Sequence, residues 1–248
     1  MQTVLDLVQD ILTDMNSDEV NSISDTEDSE QVSRILRSTY RALISKNSWP
    51  HTRRALSLVA RSDSNFPTHM RVREDLKELI SVSYDKAKFG ETRRKYTPIT
   101  YLMPDEFLRR VNARDNTSAE VDVVVDDSGI EVLIRNDKHP DYYTSFNDAD
   151  IVFDSYLSDT DATLQESKFQ AQGFIIPEFR LEDGFIPDLP ADAFPLLQEE
   201  ATSRCQSKIR QLTDGKSEQE AGRQARVMSR KSWVVDGGLR YPNYGRGR

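Results

Sequence analysis

Residues 121–135 read VDVVVDDSGIEVLIR, two apolar runs joined by Asp127-Ser128-Gly129. Val121, Val123 and Val125 recur at every second position, and so do Ile130, Val132 and Ile134. A period of two belongs to a strand with one buried face, because successive side chains point to opposite sides. The residues between the runs make a hairpin connection in which glycine is free to take a positive φ. The same period occurs upstream at Leu56, Leu58 and Ala60 and at Ile80, Val82 and Tyr84. Residues 51–189 are therefore expected to form a β-rich domain. Within it, MPDEFLRRVN (103–112) reads as a short helix, with Pro104 in the first turn where no amide partner is needed.

On either side of this region the period becomes helical. In TVLDLVQDILTDM (3–15), Val4, Leu5, Val8, Ile11, Leu12 and Met15 fall at the three-four spacing of one buried stripe. Val32, Ile35, Leu36, Thr39, Tyr40, Leu43 and Ile44 mark a second amphipathic helix, opened by Ser, Asp and Thr oxygens and an acidic first turn. Pro50 after Trp49 stops it. Beyond IIPEFRLEDGFIPDLPAD a third stripe runs through Phe194, Leu197, Ala201, Cys205, Ile209 and Leu212. Gly215 interrupts it, and EQEAGRQARVMSRKSW (218–233) resumes a helix rich in Gln and Arg. The last residues, WVVDGGLRYPNYGRGR, have no period and read as an extended arm. Helices that each bury one stripe must find one another. The expectation is an α+β chain: a helical bundle from 1–50 and 190–232, a β-rich domain at 51–189 inserted between its halves, and an arm at 233–248.

Charged residues make up 30% of the 248 and the apolar set 37%, a globular but polar composition. No run of about 18 apolar residues exists, so no membrane span is expected. The N-terminus lacks the basic start and small-residue cleavage site of a signal peptide, which points to a protein used without export. One cysteine, Cys205, excludes an internal disulfide and a Cys-rich zinc site. The net charge of −9 is unevenly spread. Residues 1–202 hold 38 acidic and 22 basic side chains, whereas 203–248 hold 4 and 11. A basic end on an acidic body suits nucleic acid or an acidic protein surface, or is simply a solvated tail.

The chemistry-bearing residues form no recognised catalytic pattern. His51, His69 and His139 have no ligand-type neighbours at metal-binding spacing. Cys205 lies on an apolar stripe, where a small core residue is expected rather than a nucleophile. DGKS (214–217) ends like a phosphate-binding loop, but Arg210 stands where the earlier glycine belongs and no strand precedes it. DSYLSDTDAT (154–163) is acidic like a calcium loop but lacks the central glycine. Asp126 and Asp127, a carboxylate pair, sit at the hairpin turn. No catalytic residue, cofactor or metal is expected.

The order of several strings resembles the head-to-tail adaptor family of short-tailed bacteriophages, also called tail tubular protein A. They are SEQVSRILRSTYRALISKNSWPHTRRALSL, YLMPDEFLRRVN, IRNDKHPDYYTSFNDADIVFDSYLSD, TLQESKFQAQG and IPEFRLEDGFIPDLPADAFPLLQEEATSRC, followed by the Arg/Gln-rich last helix. The resemblance implies a structural virion protein without cofactor. It would form a ring, usually of twelve copies, between the portal protein and the tail nozzle, with DNA only as transiting cargo and no membrane. The expected place is the virion neck, after assembly in the host cytoplasm. Portal docking then falls to Trp233, Arg240, Tyr241, Tyr244, Arg246 and Arg248 in the arm. Contact with the nozzle, with tail fibres or spikes, or with a neighbouring copy falls to Tyr142, Tyr143 and Phe146, for which packing inside the β domain is the alternative. The chain is longer than compact members of that family, mostly in the β region. Two other readings stand beside it: a nucleic-acid-binding protein using the basic arm, and a hydrolase using Asp137, Asp141 or Asp148. The acidic body and the lack of a DNA-reading motif weigh against the first of these.

Overall fold

The computed structural model describes residues 2–46, 48–87, 92–210, 219, 222, 223, 225 and 226. The chain divides into two compact units, Met1–Thr52 with Ile176–Arg248, and Arg53–Ile175.

In the first unit, α1 (Val4–Asp14) begins at a capping box in which Thr3 and Asp6 each bond the other's backbone amide. Helix α2 (Glu27–Lys46) opens on Glu27, Asp28 and Glu30, carboxylates at the positive end of its dipole. It ends before Trp49, whose indole donates to the Leu43 carbonyl at 2.9 Å, and Pro50 begins a short 3-10 turn. Far along the chain, α4 (Phe194–Cys205) continues into a π-helical turn, Gln206–Arg210. Leu7 and Ile11 of α1, Leu36 and Tyr40 of α2, and Leu197 and Ala201 of α4 share one apolar cluster with Phe179 and Leu189 of the extended segment before α4.

The expected helical bundle of the two chain ends is not what forms. The helices are scattered: α3 (Pro104–Val111) belongs to the other unit, and the dominant element of the fold is a large curled sheet. The stripes of α1, α2 and α4 also pack against loop residues of 176–189, where the sequence supplies aromatic and leucine side chains without a helical period. The expected helix at 218–233 falls almost wholly outside the described residues, and the arm at 233–248 does so entirely.

The second unit holds ten strands. Eight form one mixed sheet in the order β1 (Arg53–Leu56), β10 (Phe169–Ile175), β4 (Leu76–Asp85), β5 (Tyr96–Tyr101), β8 (Tyr142–Thr144), β9 (Asp150–Phe153), β3 (His69–Arg71), β2 (Val59–Ala60). All neighbours are antiparallel except β5 and β8. The two outermost strands, β1 and β2, are separated in the chain only by Ser57 and Leu58. Two extended residues span about 7 Å at most, so the sheet curls until its first and last strands meet in one stretch of chain. Its inner side is filled by Met70, Val82, Tyr84, Phe153 and Phe169, joined by Phe107 and Val111 of α3.

The remaining strands, β6 (Val121–Val125) and β7 (Glu131–Arg135), form a separate ribbon closed by a turn with Gly129 at φ 78°. Its register corrects the sequence reading. Val124, Val132 and Ile134 face the core, while Val123 and Val125 are 49% and 52% exposed. Four valines in five positions carry no period on β6, so packing of the partner strand decides which face turns inward.

Backbone crowding fixes one further position. Gln172 and Gly173 flank a register shift between β10 and β4. A Cβ on Gly173 would lie 2.6 Å from the Glu78 carbonyl oxygen and 2.7 Å from Leu56 Cδ1. Gly173→Ala is therefore expected to lower the unfolding free energy by about 1–3 kcal/mol, read from the urea midpoint; an unchanged midpoint contradicts this packing.

Candidate functional site

The acidic stretch 134–159 is organised around Asp154, which is fully buried at the end of β9. Its Oδ1 accepts the backbone amides of Asp141 at 3.0 Å and Tyr142 at 2.9 Å. Its Oδ2 meets Arg114 Nη2 at 2.9 Å. Arg114 Nη1 in turn donates to the carbonyls of Leu133 at 2.8 Å and Asp154 at 2.6 Å. Burial pulls the guanidinium below its ordinary value, and Asp154 opposes that pull. A buried charge is tolerable when paired and fully hydrogen-bonded. This arginine and carboxylate hold β7, β9 and the start of β8 together, so the polar turn of the sequence is a structural knot.

Other acids nearby are engaged as well. Asp141 accepts Lys86 at 2.7 Å and Lys138 at 3.2 Å, Asp137 pairs with Arg135, and Asp161 with Lys168. Among the described residues no group of three His, Cys, Asp or Glu side chains is placed to hold a metal ion. The backbone of Asp148 takes a positive φ of 58° in the turn before β9.

The hairpin carboxylates belong to a second node. His69 Nε2 lies 3.0 Å from Asp126 Oδ1, so the imidazole donates there. Asp126 Oδ2 accepts the Ser128 amide at 3.1 Å and its hydroxyl at 2.6 Å. Asp127 pairs with Arg61, whose guanidinium also lies over the Phe66 ring at 4.5 Å. A histidine-carboxylate pair is the material of general acid-base catalysis, but the His69 ring is 0% exposed and its bond ties the ribbon turn to β3. Burial pushes the imidazole below its ordinary value, opposed by Asp126. For Asp126, burial raises the carboxyl, and the Ser128 and His69 bonds together outweigh it, leaving it low. Cys205 is buried in the first unit, where desolvation pushes its thiol up to about 12.

The aromatic residues singled out in the sequence lie in and around the core of the second unit. Tyr143 is buried, with its ring 5.5 Å from Tyr101 and 6.0 Å from Phe153. Phe146 is half-buried, edge-on to Phe107 at 6.3 Å. Tyr142 is half-buried beneath Arg110, whose guanidinium stands 4.0 Å from the ring centroid. Beside them the sequence reading missed Tyr101 and Met103, which are 49% and 58% exposed. Their only sequence signal was their place just before Pro104. Trp233, Arg240, Tyr241, Tyr244, Arg246 and Arg248 lie outside the described residues. In the first unit, Asp6, Asp10 and Asp14 are one helical turn apart on α1. Burial and the charges of Asp14 and Asp6 raise the Asp10 carboxyl, which marks the row as mutually repulsive.

The His69 geometry sets a pH dependence. Its folded value lies below the ordinary 6.5, so on acidification the unfolded chain takes up the proton first. The stability is complete above about 6.5 and is lost as the pH falls from there toward the folded value. His139, lowered by burial and then by Lys86 and Lys168, acts in the same window. The urea midpoint should fall between about pH 7 and pH 5.5. His69→Gln should lower the midpoint at pH 7 and make the acid-side fall shallower; an equally steep fall contradicts this role.

Compared with known proteins, the chain matches no protein-family model and no curated protein.

Proposed function

We propose that the chain is a structural virion protein, a head-to-tail adaptor whose copies form a ring between the portal and the tail nozzle and line the DNA exit channel. The observation that carries this reading is the surface of the strand unit. The chain has a mean hydropathy of −0.65, yet Tyr101, Met103, Val123 and Val125 are about half exposed or more. Tyrosine, methionine and arginine are enriched where interfaces are fully buried, and Arg110 stacks on Tyr142 beside them. The charges of 134–159, by contrast, are spent on holding backbone in place, which suits a part that is built into an assembly.

Two further features support the same reading. The Asp6, Asp10 and Asp14 row on α1 gives a wall that repels phosphate, as a channel that must let DNA slide requires. The basic arm supplies Trp233, Tyr241 and Tyr244 as apolar anchors, with Arg240, Arg246 and Arg248 to meet portal carboxylates. The protein would work in the virion neck, after assembly in the host cytoplasm.

Native mass spectrometry of the chain mixed with a portal ring tests this. The expected result is a complex of fixed stoichiometry, lost when the chain is truncated after residue 232. Absence of any complex overturns the adaptor reading, and full binding by the truncated chain removes the arm from it. Binding to DNA that weakens steeply with salt, without a portal complex, would favour a nucleic-acid-binding protein.

A further inference from the structure

The strands that end the two sheets are β1, β2, β6 and β7, and they differ in how their outer edges are treated. On β7 the edge away from β6 is closed: the Leu133 carbonyl accepts Arg114, the Arg135 amide donates to the Asp154 carbonyl, and the Arg135 carbonyl accepts Tyr156. On β2 the Ala60 amide is taken by Glu166 Oε1 at 2.9 Å.

The β6 edge is different. Asp126 donates to the Ile130 carbonyl and Asn136 to that of Glu120, which makes the even-numbered residues of β6 the ones bonded to β7. The amides and carbonyls of Val123 and Val125 therefore point outward, and among the described residues no backbone partner meets them. Natural edges are blunted by lysine, proline or a bulge. The sequence VDVVV has no lysine or proline, and its register with β7 is unbroken.

Charge says what fits this edge. Glu120 and Asp127 are met by Arg135 and Arg61, whereas Asp122, Asp126 and Glu131 have no lysine or arginine partner among the described residues. The other edge strand, β1, begins with Arg53 and Arg54, both exposed, and pairs only with β10. Two β6 strands side by side would set acid against acid, and two β1 strands arginine against arginine. A β6 beside a β1 places carboxylates at either end within reach of the arginines.

We propose that the β6 edge of one copy pairs with the β1 edge of a second copy, extending the sheet from subunit to subunit. Such a contact is heterologous, so each copy keeps one free β6 and one free β1 and the assembly propagates or closes into a ring. It rests on the adaptor reading only for closure into a ring.

The test uses the full chain alone. Ala55→Cys is combined in turn with Val121→Cys, Val123→Cys and Val125→Cys, with buried Cys205 as a silent background. Mild oxidation at high protein concentration should give a ladder of dimers, trimers and higher species from at least one pair, and monomer from each single variant. Val123→Pro removes an amide that the subunit itself does not use, and Val125→Lys adds an edge charge. Each should keep the wild-type urea midpoint and weaken self-association by about tenfold or more in light scattering. No ladder from any pair, a dimer from Val123→Cys alone, or unchanged association in both edge variants would each overturn the pairing. A ladder without a portal complex sinks only the adaptor, and a portal complex without a ladder sinks only the edge pairing.

Discussion

Ser57 and Leu58 are all that separates the first strand of the large sheet from the last. So short a link cannot cross a flat sheet of eight strands, which at about 4.8 Å per step is more than 30 Å wide. The sheet has to curl, and the curl creates an interior that must be filled. The sequence answers with large side chains: Phe153 and Phe169 stand 4.8 Å apart, and Tyr84 lies 4.9 Å from Phe169. Helix α3 and the inner face of the ribbon contribute to the same core through Phe107, Val124 and Ile134.

Curling places short strands and turns in positions where backbone groups lack ladder partners, and burial without partners costs about 1–3 kcal/mol for each group. The aspartates of 134–159 answer that need. Asp154 alone satisfies two amides and neutralises Arg114, which itself caps two carbonyls. The density of acidic residues that suggests a cation loop in the sequence is a consequence of irregular backbone that needs acceptors. Asp85 works in the same way, accepting the amides of Ala87 and Lys95 and the Arg94 guanidinium.

With the charges turned inward, the surface of this unit keeps exposed valine, tyrosine and methionine and two strand edges of opposite charge. Those are the features through which a structural part meets its neighbours, and they connect the packing of the sheet to the proposed role. The first unit carries its own version of the theme, with the apolar stripe of α1 buried and its Asp6, Asp10 and Asp14 row outside.

Much of the local structure was legible in the sequence because its causes are local. Helix α1 follows from a stripe and a capping box within fifteen residues, α3 from Pro104 and one turn of apolar spacing, and the ribbon from a glycine turn between two apolar runs. The arrangement of those pieces was not legible. The bundle expected from the helical stripes fails because a stripe states that it must be covered and not by what, and loop residues such as Phe179 and Leu189 take part in the covering. The face of β6 was misread because a run of valines has no period, and only its partner strand sets which side is buried. The knot at Asp154 joins groups 40 residues apart, a pairing that no spacing rule can contain. The sequence by itself determined the helices, the turns and the charge of each edge, since these follow from neighbours along the chain. Strand order, the curl and the buried ion pairs were decided by tertiary structure, because they depend on which distant segments meet.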